Sequence, residues 1–155
     1  MKKILIMGGN QFVGKEIVKK FLEKDYTIYI LNRGTRKNIE EVIFFKVDRD
    51  NFIEMENILK NIDVDIIIDV SAYTEEQVDI LHKVMKNRFK QYILISSASV
   101  YNNIESTPAN EESQTGENLI WGDYAKNKYL AEKKTIENSK IYNFKYTIFR
   151  PFYIY

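Results

Sequence analysis

The sequence predicts an α/β fold, a doubly wound parallel sheet with helices on both faces, formed as one domain over residues 1–155. Three observations carry this. Apolar runs of strand length alternate with stretches of helical period from end to end. Several of the runs are unbroken Ile, Leu and Val, as in strands covered on both faces. The first run ends in a glycine turn, Gly8-Gly9-Asn10-Gln11-Phe12-Val13-Gly14, which opens an amphipathic stretch.

The first strand is expected at Lys3 to Met7, where Ile4, Leu5, Ile6 and Met7 are bounded by glycine. Val13, Ile17, Val18, Phe21 and Leu22 then mark one face of a helix. Strands follow at Thr27 to Leu31 and Val42 to Lys46, and Phe52, Met55, Ile58 and Leu59 mark a second helix, with Asp50 as its expected N-cap. Asp65 to Val70 supplies the fourth strand, and Val78, Leu81 and Met85 a third helical face. His82 lies in that helix and is expected at the surface. Gln91 to Ser96 is the fifth strand, a fourth helix runs from about Asp123 to Asn138, and Tyr146 to Phe149 is the last strand. The stretch from Ala98 to Gly122 lacks periodicity and is acidic (Glu105, Glu111, Glu112, Glu117), the length of a functional or disordered loop.

With 45% hydrophobic and 14% aromatic residues, 155 residues can bury one sizeable core. Charged residues make up 29% but balance at +1, so no global field points to nucleic acid or an anionic membrane. Cysteine is absent, which excludes disulfides, a thiolate metal site and a cysteine nucleophile; no metal ligand set is expected. The apolar run after Met1-Lys2-Lys3 is too short for a signal peptide or a membrane span, and the expected location is cytoplasmic.

The glycine turn is where a dinucleotide pyrophosphate would sit: glycines let backbone N–H groups approach a phosphate, and the helix N-terminus favours the anion. Tyr124-Ala125-Lys126-Asn127-Lys128 places a phenol and an ammonium four residues apart, on one face of a helix. A free tyrosine has a pKa of about 10, and a neighbouring cation lowers it toward useful proton transfer. The same spacing also suits a surface pair. Ser96, Ser97 and Ser99 stand at the carboxyl end of the fifth strand, the sheet end where ligands bind in open α/β folds. Trp121 either lines the site or packs the loop.

Together these elements resemble the extended branch of the short-chain dehydrogenase/reductase superfamily, the NAD(P)-dependent epimerase/dehydratase group with its Rossmann-like fold. In that family a serine lies four residues before the tyrosine of a Val-Tyr motif, as Ser97 does before Tyr101, and a Tyr-x-x-x-Lys pair completes the site, here Tyr124 and Lys128. The resemblance implies Ser97, Tyr124 and Lys128 as catalytic residues. It implies a cofactor set of Gly8, Gly9, Asn10, Gln11, Phe12, Val13, Asn32, Arg33, Asp48, Arg49, Ala72, Tyr124, Lys128 and Pro151, the last from an Arg150-Pro151 motif beside the nicotinamide. It further implies an epimerase, dehydratase or reductase acting on a small molecule, a nucleotide sugar by resemblance, with a homodimer as an option and no membrane or nucleic-acid partner expected.

Where the family's glycine turn has its middle glycine this chain has Gln11, which resembles an atypical branch reading Gly-Gly-x-x-Phe-x-Gly. Leu31-Asn32-Arg33-Gly34, Val47-Asp48-Arg49-Asp50 and Asp69-Val70-Ser71-Ala72-Tyr73-Thr74 extend the resemblance. That branch includes the chloroplast stem-loop-binding proteins, so a rival expectation is a non-catalytic, nucleotide-regulated RNA-binding module. At the end of the second strand no acid follows Leu31; Arg33, with Arg36 and Lys37 near, suits a ribose 2′-phosphate and predicts NADP, with NAD as the alternative. Family members continue beyond the Arg-Pro motif, so the chain is expected to be the cofactor half of a longer protein, the substrate region being absent. The apolar end, Phe152-Tyr153-Ile154-Tyr155, would otherwise pack on the sheet or on a partner chain.

Overall fold

The computed structural model describes residues 1–35, 39–102 and 109–152. Its strands are β1 (Lys2–Met7), β2 (Tyr26–Asn32), β3 (Ile43–Lys46), β4 (Ile66–Asp69), β5 (Gln91–Ile95) and β6 (Lys145–Phe149). Its helices are α1 (Phe12–Leu22), α2 (Phe52–Leu59), α3 (Glu75–Met85) and α4 (Gly122–Tyr142). The strands form one parallel sheet in the order β3-β2-β1-β4-β5-β6. Winding runs outward from β1 to one edge, then restarts at β4 and runs to the other. At the β1/β4 junction the connections leave toward opposite faces and open a crevice at the carboxyl ends of the strands.

β1 is central: Ile4, Leu5 and Ile6 are wholly buried, with Ile4 in register with Ile28 on one side and Ile66 on the other. Alternation along the strands divides the core into two layers. Leu5, Met7, Ile67, Tyr92 and Leu94 face a larger core closed by Met55, Leu59, Val78, Leu81 and Ala131 of α2, α3 and α4. Ile4, Ile6, Ile28, Ile30 and Ile68 face the other layer, which α1 covers through Val18 and Ile17. The predicted doubly wound sheet with helices on both faces is therefore the fold. Among the described residues no helix is long and apolar enough to cross a membrane.

Several local expectations are corrected. Val42, Asp65, Val70 and Ser96 lie just outside their strands. α4 continues past Asn138, because that amide is buried in the seam with α3 and donates to Asp79 Oδ1 at 3.1 Å; Asn143, in the left-handed conformation (φ 54°), ends the helix. The N-cap of α2 is Asn51, which accepts from the Glu54 N–H at 3.2 Å, whereas Asp50 accepts from Gln77 Nε2 at 2.9 Å. His82 is fully buried rather than exposed. It sits one turn after Val78 on the face that α4 covers, its ring 4.3 Å from that of Tyr92 and 4.7 Å from that of Phe144. Asn138 donates to its Nδ1 at 3.2 Å, and burial pushes its pKa down to about 3, so the ring is neutral.

The polar stretch after β5 is structured about Tyr101: Ala98–Val100 forms a single 3-10 turn, Tyr101 bridges Thr115, and Asn118 Nδ2 donates to the Tyr101 carbonyl at 2.7 Å. Arg36, Lys37, Glu105 and Tyr153 to Tyr155 lie outside the described residues.

Candidate functional site

A cleft of about 500 Å³ opens over the carboxyl ends of β1, β2, β4 and β5, at the reversal of winding. The glycine turn forms one wall. Gly8 stands at φ +87° with Ser71 so close that a Cβ would come within 2.8 Å of it, and a Cβ on Gly14 would collide with the Gly8 carbonyl. Gln11 is extended (φ −141°), so the place of the family's middle glycine accepts a side chain; the left-handed residue is Phe12 (φ 40°). α1 begins here with no side-chain cap from Gln11 and no acid in its first turn. Its first N–H groups have no intrahelical partners, and the positive end of its dipole meets the cleft.

α4 forms the facing wall. Tyr124 and Lys128 share one face of the helix and both line the cleft. The Tyr124 ring is 40% exposed and lies 5.8 Å from that of Tyr73. The Lys128 ammonium is buried and donates to the Ala72 carbonyl at 2.7 Å and the Ile95 carbonyl at 3.0 Å, which leaves one N–H uncommitted. Burial pulls its pKa below the ordinary lysine value.

Beneath these walls lies a buried charge network. Arg49 Nη1 and Nη2 reach the two oxygens of Asp69 at 2.9 and 2.7 Å, and Tyr92 donates to Asp69 at 3.0 Å. Burial opposes ionisation of Asp69, but the guanidinium outweighs it and holds the carboxyl below its usual range. Burial and the Asp69 charge push the Tyr92 phenol well above its ordinary value. At the far end of the cleft, Asn32 Oδ1 accepts from the Gly34 N–H at 2.7 Å, while Asn32 Nδ2 is buried with no partner among the described residues. Arg33 stands exposed beside it, and a second groove of about 500 Å³ continues over Arg33, Lys46, Asp48 and Glu54.

Of the residues singled out in the sequence, Gly8, Asn10, Gln11, Phe12, Val13, Asn32, Arg33, Asp48, Arg49, Tyr124 and Lys128 line this cleft. Gly9 lies behind the turn against Ile30 and Val18. Ala72 is buried and contributes its carbonyl to Lys128. Ser97 and Pro151 fall outside the lining: Ser97 Oγ accepts from the Ser99 N–H at 3.2 Å, and the Pro151 carbonyl accepts from the Ala98 N–H at 3.0 Å. Ser96 faces the cleft instead, its Oγ buried without a partner among the described residues. Trp121 is half-exposed at the start of α4 and is outside the lining. Sequence reasoning missed Ser71, Tyr73, Gln77 and the Asp69–Tyr92 pair as parts of the site. For Asp69, Ser71 and Tyr73 the signal was the stretch Asp69-Val70-Ser71-Ala72-Tyr73-Thr74 at the carboxyl end of a buried strand; Gln77 and Tyr92 lie outside it.

The arrangement fits a dinucleotide. An acid-free helix N-terminus, an orphaned amide donor and an ammonium with a spare N–H line one continuous cleft, the kinds of donor that suit a phosphate and ribose hydroxyls.

The model of the NAD dependent epimerase/dehydratase family matches residues 4–155. The chain is 25% identical over 169 aligned positions to the chloroplast stem-loop binding protein of 41 kDa b of Arabidopsis thaliana, covering 99% of this chain and 42% of that protein. Among solved structures, the UDP-Glc/GlcNAc 4-epimerase of Campylobacter jejuni superimposes with a TM-score of 0.86 at 19% identity, over 97% of this chain and 53% of its own. The dTDP-glucose 4,6-dehydratase of Bacillus anthracis, solved in complex with NAD, gives 0.80 at 20% identity over 97% and 54%. The chain thus spans about half the length of these relatives, and the structural likenesses establish the fold. With residues 4–155 matched by its family model, the chain belongs to the NAD dependent epimerase/dehydratase family.

Proposed function

We propose that this chain is the dinucleotide-binding part of an NAD(P)-dependent epimerase, dehydratase or reductase that acts on a nucleotide sugar. The observation that carries the reading is the pairing of Tyr124 and Lys128 across one cleft from the N-terminus of α1. When bound, the cofactor supplies reversible hydride exchange at its nicotinamide ring. The first N–H groups of α1 bind the pyrophosphate, and Lys128, fixed by the Ala72 and Ile95 carbonyls, offers its remaining N–H to the nicotinamide ribose. Tyr124 gives or takes the proton of a substrate hydroxyl at its phenolic oxygen, and Ser97, at the end of β5 beyond the cofactor cleft, orients the substrate oxygen. Asp48 receives the adenine end.

NADP is the preferred dinucleotide. No carboxylate stands at the end of β2 to take a ribose 2′-hydroxyl, Asn32 Nδ2 is an unspent donor there, and Arg33 and Lys46 border the adjoining groove. Titration of the chain with NADPH and NADH, followed by fluorescence, should give saturable binding of both with NADPH the tighter. Arg33→Asp should weaken NADPH about tenfold more than NADH, the size of one lost charge-assisted contact. Absence of binding by either dinucleotide would sink the reading. A second reading, a nucleotide-regulated RNA-binding module, is supported by the match to the stem-loop binding protein of Arabidopsis thaliana. It requires steeply salt-dependent binding of a structured RNA, which the balanced charge of +1 does not favour.

A further inference from the structure

Arg49 joins the two halves of the sheet. It comes from the loop after β3, at one edge, yet its guanidinium lies on Asp69 at the end of β4, on the far side of β1. Nη1 also donates to Ser71 Oγ at 2.7 Å. Asp69 is fully buried, and besides Arg49 and Tyr92 it accepts the N–H groups of Ser71 (3.1 Å) and Ala72 (2.8 Å). These bonds curl residues 69–72 into a turn that touches both walls of the proposed cofactor site. On one side Ser71 backs directly onto Gly8 of the glycine turn; on the other the Ala72 carbonyl accepts the Lys128 ammonium at 2.7 Å.

We propose that Arg49 is a positioning residue, clamped on Asp69 across the winding reversal, which sets the 69–72 turn and through it both Lys128 and the glycine wall, rather than a phosphate ligand. A buried carboxylate must be paired and hydrogen-bonded, and of the cationic side chains only the arginine fork meets both its oxygens at once. Both terminal nitrogens are committed, to Asp69, Ser71 Oγ and the Gln77 carbonyl, and the one N–H left, on Nε, is buried without a partner among the described residues, so no fork remains to present to a phosphate. The assignment of the two walls to a cofactor rests on the dinucleotide reading; the clamp itself does not.

Exchange of the Lys128 ammonium protons with water, followed by NMR and assigned with Lys128→Arg, reports the bonds to Ala72 and Ile95 with no dinucleotide present. Folded Arg49→Met should exchange about tenfold faster, the scale of coupling within one hydrogen-bonded network. Arg49→Lys, which keeps the charge and loses the fork, should fall between. NADPH affinity of Arg49→Met should be about tenfold weaker at both low and high salt, because a positional defect is not screened. Wild-type ammonium exchange in folded Arg49→Met, or an NADPH deficit that vanishes at high salt, overturns the proposal. Should Arg49→Met not fold, Arg49→Lys decides the matter in the same way: faster exchange supports the clamp and unchanged exchange refutes it. A wild-type chain that binds neither NADPH nor NADH counts against the dinucleotide reading alone, since the exchange measurement still judges the clamp.

Discussion

Glu132 lies one turn beyond Lys128 on α4 and receives Arg150 as a fork, Nε at 3.0 Å and Nη2 at 2.8 Å. Arg150 directly follows β6, so this pair ties the helix that carries Tyr124 and Lys128 to the edge of the sheet. The same guanidinium lies 5.1 Å from the centre of the Tyr101 ring, joining the stretch after β5 to the arrangement. Its hydrogen bonds to Glu132 hold the Arg150 pKa above the ordinary arginine value.

The pair should therefore be strongly coupled. Glu132→Gln leaves a partly buried cation without its counter-charge and should lower stability by about 3 kcal/mol, near the low end for breaking a buried ion pair because Arg150 is partly solvated. Glu132→Met with Arg150→Met removes both charges and should cost clearly less than the single change. Urea unfolding of wild type, Glu132→Gln, Glu132→Met, Arg150→Met and the double variant reads these values; a double variant as unstable as the sum of its two Met singles would show that the residues are not coupled.

Phe12 and Gly14 make opposite demands on the glycine turn. Phe12 holds a left-handed backbone (φ 40°) with its ring 76% exposed, so little burial offsets the roughly 1–2 kcal/mol such a conformation costs an L-residue. Phe12→Gly should leave stability unchanged or raise it by up to about 1 kcal/mol while weakening NADPH binding, since the ring that lines the cleft is lost. Strain retained at a lined cleft is the pattern of a residue kept for its ligand. Gly14→Ala should instead cost more than about 2 kcal/mol and abolish NADPH binding, because its methyl group would meet the Gly8 carbonyl. A Phe12→Gly protein markedly less stable than wild type would contradict the strain argument.

What could be read from the sequence was what depends on local pattern. The unbroken run Ile4 to Met7 gave β1, the alternation of runs gave the parallel sheet, and the four-residue spacing placed Tyr124 and Lys128 on one face. What could not be read depends on strand order and on parity. Arg49 and Asp69 are 20 residues apart and meet only because β4 packs beside β1, so local pattern could not show that the arginine next to Asp48 reaches that carboxylate. Whether Ser96 or Ser97 faces the cleft turns on a single residue of alternation at the end of β5. The N-cap of α2 moved by one residue for a similar reason, since Asp50 and Asn51 are both competent caps and Gln77, on a different helix, claims the first.

His82 was misplaced because its polarity argued against burial while its position, four residues after Val78, argued for it. Its environment yields a pH prediction. Burial lowers the folded pKa from 6.5 to about 3, so between those values the unfolded chain binds a proton that the folded chain does not. Stability must then rise with pH across that window and level off above it, by about 1.4 kcal/mol per pH unit from this one group. His82→Gln removes the titration and keeps an oxygen able to accept from Asn138, which now donates to Nδ1. Buried carboxylates such as Asp69 also lose stability in acid, but they do so in both proteins, and the difference between the two isolates the histidine. Urea unfolding at a series of pH values should show wild type losing stability faster than His82→Gln from pH 6.5 downward, with equal pH dependence above it. Parallel curves throughout would mean that the ring takes up its proton in the folded state at an ordinary pH, and hence that the seam between α3 and α4 opens around it.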